Sequence, residues 1–261
     1  MSSQTISVIG AGKMGLPLVA QFAKNGATVI AVDINSEVVA LINAGGCPID
    51  EPGVDVLIKE GVDAGRISAT TSAEDAVAKS DSVIIIVPAM LTEDVHADLA
   101  ILEAVTRQVA AVLKPGTLVS YETTVPVGTT RNAFKPILDE AGVDYHLAFS
   151  PERVKSNHVL ERLESTPKVI GATDSASRER AAEFYATYLG APIINAGSVE
   201  AAEFVKLAGM LYRDVNIAFA NELAGYAEKA GIDLPSLRGA INANDEANLL
   251  LPGIGVGGHC A

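Results

Sequence analysis

Cysteine, basic side chains and long apolar runs are all scarce in this chain, and each scarcity argues against one class of structure or partner. Two cysteines far apart among 261 residues form neither a disulfide framework nor the spacing of a metal site, so no metal is predicted. Lys and Arg number 19 against 32 Asp and Glu, a net charge of −13. Nucleic acid or an anionic membrane is therefore not expected as the main partner. Apolar runs such as Val83–Val87 are far too short to span a bilayer.

The remaining composition is that of a globular protein. Apolar residues make up 49% and charged residues 20% of the chain, which allows a sizeable core and argues against disorder. The sequence has no internal repeats. Its N-terminus runs into an apolar strand without the basic region and apolar stretch of a targeting segment. With so few cysteines, this predicts a protein of the reducing cytoplasm.

Short β-branched runs alternate with amphipathic helical stretches over the first two thirds of the sequence. This alternation predicts an α/β fold, a Rossmann-like doubly wound parallel sheet with right-handed crossovers, in a domain over residues 1–197. The predicted strands are Ile6–Ile9, Thr28–Val32, Val83–Val87, Leu118–Tyr121, Tyr145–Phe149 and Val169–Ile170. The predicted helices lie near Leu16–Lys24, Glu37–Ala44, Leu99–Leu113, Thr130–Ala141 and Ala176–Tyr188.

A long connector helix is predicted over Val199–Ala230, a proline-free stretch rich in Ala, Glu and Leu. Ser198 is its predicted N-cap, and Gly231 is predicted to end it. At 1.5 Å per residue the helix would be about 48 Å long, which suits a connector or a dimer spine. With a shorter helix over Leu234–Asn242 it forms a small helical region, residues 198–261. The sequence therefore predicts a homodimer formed through the long helix.

A glycine-rich turn separates the first predicted strand from the first predicted helix. Gly10 permits a tight turn, Gly12 lets the backbone approach a pyrophosphate, and Gly15 lets the helix pack closely on the strand. Asp33 ends the second strand, where an acidic side chain meets the ribose hydroxyls and repels a 2′-phosphate. The alternative is an ordinary turn without a ligand. The predicted cofactor is NAD, and its predicted ligands in this region are Gly10, Gly12, Lys13, Met14, Gly15 and Asp33.

A thiol, Cys260, follows a run of glycines close to the last residue. A thiolate can add to an aldehyde, and the adduct can then give a hydride to a nicotinamide. The combination indicates an oxidation that passes the aldehyde and reaches the acid. A buried loop cysteine is the alternative for Cys260. Cys47 is interpreted as structural, and His259 is not assigned as the base because adjacent side chains often diverge.

Five segments taken in order carry a resemblance to a known family: the Rossmann turn, Glu122–Thr129, Ser150–Val154, Ala202–Ala208 and Pro252–Cys260. Over essentially its whole length the chain resembles the UDP-glucose/GDP-mannose dehydrogenase family, and most closely its members that act on UDP-N-acetylhexosamines. The resemblance implies an NAD-dependent four-electron oxidation of the C6 hydroxyl of a UDP-N-acetylhexosamine to the uronate, and UDP-N-acetyl-D-mannosamine is the expected substrate. A thiohemiacetal and a thioester on Cys260 are the implied intermediates, and polysaccharide synthesis is the implied pathway.

The same resemblance implies a role for each site residue. Cys260 is the nucleophile, Lys206 stabilises oxyanion charge, and Glu152 activates the hydrolytic water. Thr124 hydrogen-bonds that water and lies by the cofactor, as does Pro88. The alternatives without a catalytic role are that Lys206 is a solvated lysine, Glu152 a surface carboxylate and Thr124 a strand-end threonine. The implied substrate contacts are Glu152, Arg153, Val154, Lys206, Gly253 and Gly257.

Three departures from the family pattern alter these expectations. Met210 replaces an asparagine one helical turn after Lys206, so water or sugar positioning is expected to differ. Ser156 and Asn157 lie where a glycine is common. The family also continues past the cysteine with an aspartate and a second α/β domain that grips UDP, and the 261 residues include neither. Alone, they are expected to bind uridine weakly and to turn over slowly or not at all.

Three other functions stay open. UDP-glucose could be the substrate within the same family. A two-electron dehydrogenase of the β-hydroxyacid type would share the Rossmann domain and the long helix but would need no thiol. A non-catalytic NAD-binding protein would ignore every UDP-sugar. The amount of NADH formed per sugar separates the oxidation classes.

Overall fold

The computed structural model describes residues 4–154 and 157–256. The strands are β1 (Thr5–Ile9), β2 (Thr28–Val32), β3 (Ile67–Thr70), β4 (Ser82–Ile85), β5 (Met90–Leu91), β6 (Ala97–Asp98), β7 (Leu118–Tyr121), β8 (His146–Phe149), β9 (Lys168–Ala172) and β10 (Ile193–Ser198). The α-helices are α1 (Gly15–Lys24), α2 (Ser36–Asn43), α3 (Val54–Asp63), α4 (Ala73–Val77), α5 (Ala100–Ala111), α6 (Lys135–Asp139), α7 (Val159–Ser165), α8 (Ser175–Tyr188), α9 (Val199–Lys229) and α10 (Leu234–Ile241).

Within these residues, one large sheet contains eight strands in the order β10-β9-β8-β7-β4-β1-β2-β3. The α/β fold class is confirmed, and all its pairings but one are parallel. The exception is β9, which runs antiparallel to β8, with Ala148 opposite Ala172 and Phe149 opposite Gly171. The chain leaves β1 for β2 and β3 on one side and returns to β4 on the other. The switch point between β1 and β4 is where α/β sheets of this kind bind ligands.

The sequence pattern does not predict α3, β3, α4, α7, β10 or the small β5–β6 hairpin. Two of these, β3 and β10, are the edge strands of the sheet. An edge strand needs fewer large apolar side chains than a central one, so a short polar segment such as Ile67–Thr70 gives little signal. The helix predicted over Thr130–Ala141 begins instead with a π-helical turn, Thr130–Phe134, which leads into α6.

The core lies where β1, β2 and α1 meet, and it holds the functional loops in place. Leu16, Phe22 and Val29 are fully buried there. Phe22 contacts Phe184 of α8 edge to face, at a centroid distance of 5.4 Å. Because α1 begins directly after the glycine turn, burying its apolar face fixes the position of that turn.

The chain divides into two compact units between Phe204 and Val205, within α9. At the start of α9, the Ser198 hydroxyl accepts a hydrogen bond from Ala201 N at 3.2 Å. At its end, Gly231 has φ 70°, and Ile232 N donates to Ala227 O at 2.9 Å. Both predicted helix ends therefore have the expected capping geometry.

The second unit contains most of α9, then α10 and residues 242–256 of the loop that follows α10, called the terminal loop. Leu249 O accepts from Arg238 Nε at 2.7 Å and from Asn242 Nδ2 at 3.0 Å. Gly253 N donates to Asn221 Oδ1 at 2.8 Å, which ties this loop to α9. Among the described residues, none of the helices has the length and apolar character needed to cross a membrane.

Candidate active site

The glycine turn after β1 is shaped by close backbone approaches. Gly10 has φ 108°, a conformation that glycine adopts without strain, and its N–H donates to Val32 O at 2.8 Å. A Cβ on Gly15 would lie 1.8 Å from Gly10 O, so only glycine fits there. A Cβ on Gly12 would meet nothing within 4 Å. The turn is thus tightly packed between Gly10 and Gly15, and the space next to Gly12 is open.

The N-terminus of α1 fits an anionic ligand. Its N-cap residue, Met14, makes no side-chain capping bond, and the first turn contains no acidic residue. By contrast, Asn35 caps α2, Ser72 caps α4 and Asp174 caps α8. Backbone N–H groups and the helix dipole at such a start attract phosphate. These residues fit the pyrophosphate of a dinucleotide.

Asp33 lies just past the end of β2 and joins the turn to the next loop. Its Oδ2 accepts from Ala11 N at 3.2 Å, and its Oδ1 accepts from Asn35 N at 2.9 Å. The carboxylate is therefore oriented by backbone on both sides. Ile34, the next residue, is 97% exposed. An apolar side chain in that position fits the flat face of an adenine, and its signal in the sequence is an isoleucine directly after the strand-end acid.

The other predicted residues of the first unit follow the strand ends of the same edge. Pro88 lies shortly after β4 and is exposed. The turn and this segment are packed together, because a Cβ on Gly10 would lie 3.2 Å from the Ile86 carbonyl. Thr124 follows β7 and is half-buried, and Glu152 follows β8 and is 7% exposed. The parallel strands β1, β2, β4, β7 and β8 thus present all of these residues at their carboxyl ends.

A buried ionic cluster holds Glu152. Lys168 Nζ lies 3.3 Å from Glu152 Oε2 and 2.5 Å from Glu122 Oε2. Glu152 Oε1 accepts from Arg153 N at 2.6 Å and from Val154 N at 2.9 Å. Sequence reasoning gave no role to Glu122 or Lys168. The available signal was a lysine that opens a strand whose residues are all buried.

The electrostatics of the cluster are dominated by burial. Complete burial raises the pKa of Glu122, and the nearby Glu152 adds to this, while Lys168 acts in the opposite direction. For Lys168, burial favours the neutral amine, but the two carboxylates outweigh it and raise its pKa. Tyr185 donates from its hydroxyl to Glu122 Oε1 at 2.7 Å, and burial raises the pKa of that phenol far above its usual value. Lys168 is therefore a cation held between two carboxylates.

The loop after Glu152 is anchored from a distance. Glu51, which is 3% exposed, accepts from Asn157 N at 2.9 Å and from Val159 N at 3.0 Å. Asn157 has φ 70°, in the left-handed region where asparagine is the best tolerated residue after glycine. Its presence where the family commonly has a glycine is thus explained. Arg153 is exposed, and its guanidinium donates to Pro167 O.

The loop after Thr124 is anchored by the start of α9. Glu203 is fully buried and accepts from Gly128 N at 2.6 Å and from Thr130 N at 2.8 Å. One turn earlier, Glu200 pairs with Arg131 at 2.5 Å. The carboxylate of Glu203 therefore satisfies the first N–H group of the π-helical turn and one N–H group just before it, as a helix start requires.

The remaining predicted site residues belong to the second unit. Lys206 and Met210 are half-buried one turn apart on α9, and Gly253 is exposed. Cys260 and Gly257 lie outside the described residues. Cys47, in the first unit, donates from its thiol to Ile49 O at 3.3 Å, and burial raises its pKa, which does not favour a nucleophile. In residues 4–154 and 157–256, no cluster of three or more His, Cys, Asp or Glu could hold a metal ion.

Family models match the chain in two parts. Residues 4–189 match the NAD binding domain of the UDP-glucose/GDP-mannose dehydrogenase family, and residues 200–261 match its central domain. The chain belongs to this family. The predicted resemblance is therefore confirmed, and NAD is confirmed as the cofactor of its first domain.

Individual members of the family extend the similarity over the whole chain. UDP-N-acetyl-D-mannosamine dehydrogenase of Yersinia pestis is 37% identical, over 100% of this chain and 63% of that protein. NDP-N-acetyl-D-galactosaminuronic acid dehydrogenase of Ralstonia nicotianae is 38% identical, over 98% of this chain and 62% of that protein. The structure of UDP-D-ManNAc dehydrogenase from Pyrococcus horikoshii has a TM-score of 0.92 at 36% identity, over 98% of this chain and 62% of its own. The chain thus spans less than two thirds of these relatives.

Proposed function

We propose that this chain forms the NAD-binding and catalytic part of a nucleotide-sugar 6-dehydrogenase. Its proposed substrate is a UDP-N-acetylhexosamine, and its product is the uronate. UDP-N-acetyl-D-mannosamine is the member of this class that we propose. Family membership supports the reaction class, and relatives named for N-acetylated sugars support the substrate class. The observation that carries the proposal is the placement of a buried, oriented carboxylate, Glu152, at the same sheet edge as the dinucleotide turn.

The cofactor residues act mainly through the backbone. Gly12 and the N-terminal N–H groups of α1 hold the pyrophosphate, and Asp33 accepts from the adenosine ribose hydroxyls. Lys13 and Met14 border the same turn, and Pro88 lies beside the nicotinamide. When bound, NAD supplies the hydride acceptor.

The chemical steps fall to four side chains. The C6 hydroxyl loses a proton to solvent and a hydride, and Lys206 stabilises the alkoxide that forms on the way. The Cys260 thiolate adds to the aldehyde carbon, and loss of a second hydride leaves a thioester. Water activated by Glu152 and hydrogen-bonded by Thr124 then breaks the carbon–sulfur bond and regenerates the thiol. One alcohol, one water and two NAD⁺ give one carboxylate, two NADH and three protons.

The sugar contacts complete the proposal. Arg153 and Val154 line the sugar through their backbone, and Gly253 and Gly257 let it approach the terminal loop. The N–H groups of Arg153 and Val154 donate to Glu152, so their carbonyl groups are the ones to test against sugar hydroxyls. A cytoplasmic location belongs to the same proposal, because Cys260 must stay a thiol and a reducing compartment preserves it.

The test is the amount of NADH formed per sugar consumed, with UDP-N-acetyl-D-mannosamine and UDP-glucose measured side by side. Two NADH per sugar and a preference for the N-acetylated sugar are expected, at the low turnover predicted for these 261 residues alone. Cys260→Ser should stop acid formation, whereas the matched control Cys47→Ser should leave it intact. One NADH per sugar would instead identify a two-electron dehydrogenase, no NADH would identify a non-catalytic protein, and acid formation by Cys260→Ser would overturn the thioester route.

The proposed assembly is a homodimer formed through α9. Several large apolar side chains of this helix are more than half exposed and lie within an arc of about 100° at 100° per residue. They are Leu211 (64%), Tyr212 (56%), Val215 (67%), Phe219 (55%) and Tyr226 (71%). A long apolar stripe on a 31-residue helix suits the same stripe of a second copy.

Sedimentation velocity at micromolar concentration tests the dimer. The unmodified protein should sediment as a dimer, and Phe219→Glu should sediment as a monomer. Arg213→Glu changes charge in the same direction on another face of α9 and should remain dimeric. A monomeric unmodified protein, or a dimeric Phe219→Glu variant, would overturn the proposed interface.

A further inference from the structure

The reversed direction of β9 brings a lysine to the functional edge of the sheet. Lys168 is the first residue of β9, and β9 runs antiparallel to β8. The pairing joins Ala148 with Ala172 and Phe149 with Gly171. Continued past the end of β8, this register places Glu152 opposite Lys168. A parallel β9 would have placed the lysine at the other edge of the sheet.

Three charged side chains meet there almost without solvent. Counting side-chain atoms alone, the exposed fractions are 5% for Lys168, 0% for Glu122 and 8% for Glu152. Tyr185 contributes its hydroxyl to Glu122, and its ring lies 5.1 Å from Lys168 Nζ. Among the described residues, Arg153 and Arg162 also line the surface next to Glu152 and Lys168.

Lys168 contributes to the orientation of the Glu152 carboxylate. The two N–H groups that follow Glu152 in the chain fix Oε1, and Lys168 Nζ binds Oε2. Contacts at both oxygens fix the plane of a carboxylate, and a general base must point its lone pairs in a set direction. The cation is shared, since Lys168 lies closer to Glu122 than to Glu152.

We propose that Lys168 is a positioning residue that orients Glu152 and holds a positive charge against its Oε2, and that Glu122 limits this effect because it binds the same ammonium group more closely. The inference rests on the proposed function of Glu152 as the base that activates water. Removing Lys168 would leave two buried carboxylates side by side, and one of them would take up a proton. Removing the charge of Glu122 would leave Lys168 to act on Glu152 alone.

Stability gives a weaker account of the cluster. A buried ion pair often contributes no more stability than apolar side chains of similar volume, because desolvation offsets the attraction. A purely structural cluster would lose stability on substitution without shifting the titration of Glu152 in opposite directions. That difference in sign is what separates a positioning role from a structural one.

The titration of Glu152 can be followed without any substrate. The amide N–H groups of Arg153 and Val154 donate to its Oε1, so their ¹H and ¹⁵N chemical shifts report its ionisation. Lys168→Met should move the midpoint of this titration to higher pH, because a cation is removed, and Glu122→Gln should move it to lower pH, because an anion is removed. Lys59→Met removes a solvent-exposed lysine paired with Asp63 and should leave the midpoint unchanged.

The kinetic arm uses the unmodified enzyme and the same variants. At pH 7, Lys168→Met should slow thioester hydrolysis about tenfold or more, because the carboxylate of Glu152 loses the contact that orients it, so that the intact mass of the protein increases by the bound acyl group during turnover. Lys168→Arg keeps the cation and should restore most of the rate.

The two proposals fail in different ways. If the unmodified protein forms no NADH with any UDP-sugar but the two midpoints move in opposite directions, the proposed function fails and the control of Glu152 by Lys168 stands. If the unmodified protein is active but the midpoints do not move, or move together, the positioning role is overturned. Should Lys168→Met fail to fold, Glu122→Gln decides alone: an unchanged or raised midpoint overturns the inference.

Discussion

The two halves of the carboxyl edge of the sheet present different kinds of functional group. At the ends of β1 and β2 the functional groups are mostly backbone amides, and Gly12 and Lys13 are open to solvent. At β7, β8 and the start of β9 they are charged side chains, Glu122, Glu152 and Lys168, almost excluded from solvent. The first half suits a ligand that brings its own charge, and the second suits chemistry that needs a fixed charge in a dry place.

The difference determines what each half tolerates. A backbone site depends on the path of the chain, so a single added methyl group can destroy it. A buried charge cluster depends on every partner being present, because a carboxylate left without its cation or its N–H donors is strongly disfavoured. Substitutions in the two halves should therefore fail for different physical reasons.

The largest effect is expected in the glycine turn. Gly15→Ala would place a methyl group 1.8 Å from Gly10 O, and the resulting shift of β1 against α1 should destabilise the protein by about 3 kcal/mol or more. Gly12→Ala has room for its methyl group, so it should fold normally and bind NAD at least tenfold more weakly. Thermal unfolding and calorimetric NAD titration measure the two effects. Normal NAD affinity in Gly12→Ala would contradict a backbone site at that residue.

A smaller loss is expected where a buried carboxylate anchors the loop of Thr124. Glu203→Ala would leave the buried N–H groups of Gly128 and Thr130 without their acceptor, at a cost of about 3 kcal/mol or less. Urea unfolding measures this. A variant as stable as the unmodified protein would show that backbone contacts alone hold this loop, as they hold the glycine turn.

The smallest effect is expected for the partly exposed carboxylate one turn earlier. The hydrogen bond from Arg131 lowers the pKa of Glu200 to about 2. A lowered pKa stabilises the fold above the usual carboxyl range, and this stability is lost as the pH falls towards 2. Because the pair is partly solvated, Glu200→Gln should reduce stability by about 1 kcal/mol at pH 7.

Unfolding at pH 7, 5 and 3 checks this last expectation. The difference in free energy of unfolding between Glu200→Gln and the unmodified protein should become smaller between pH 5 and pH 3. If this difference were as large as the one for Glu203→Ala, or constant with pH, burial would not explain why the two carboxylates contribute differently to stability.

The sequence predicted that the glycine turn and Asp33 follow the first two strands, and the family and NAD are confirmed, while the roles of these residues as cofactor ligands stay predictions. Gly10, Gly12, Gly15 and Asp33 lie within short segments after two apolar strands, so local spacing is enough to identify them. The second half was predicted only in part. Glu152 and Thr124 came from a resemblance, and their roles stay predictions. Lys168 was missed, because its partners lie 16 and 46 residues away.

The sequence by itself determined the alternation of strands and helices, the glycine turn and the long helix, because strand, helix and turn preferences act over a few residues. Only the tertiary structure decided the direction of β9, since pairing with β8 depends on how the whole chain packs and not on the five residues of the strand. That direction brings Lys168 to Glu122 and Glu152. The burial of these three charges follows from that direction. The same burial gives the edge at β7, β8 and β9 its electrostatic character.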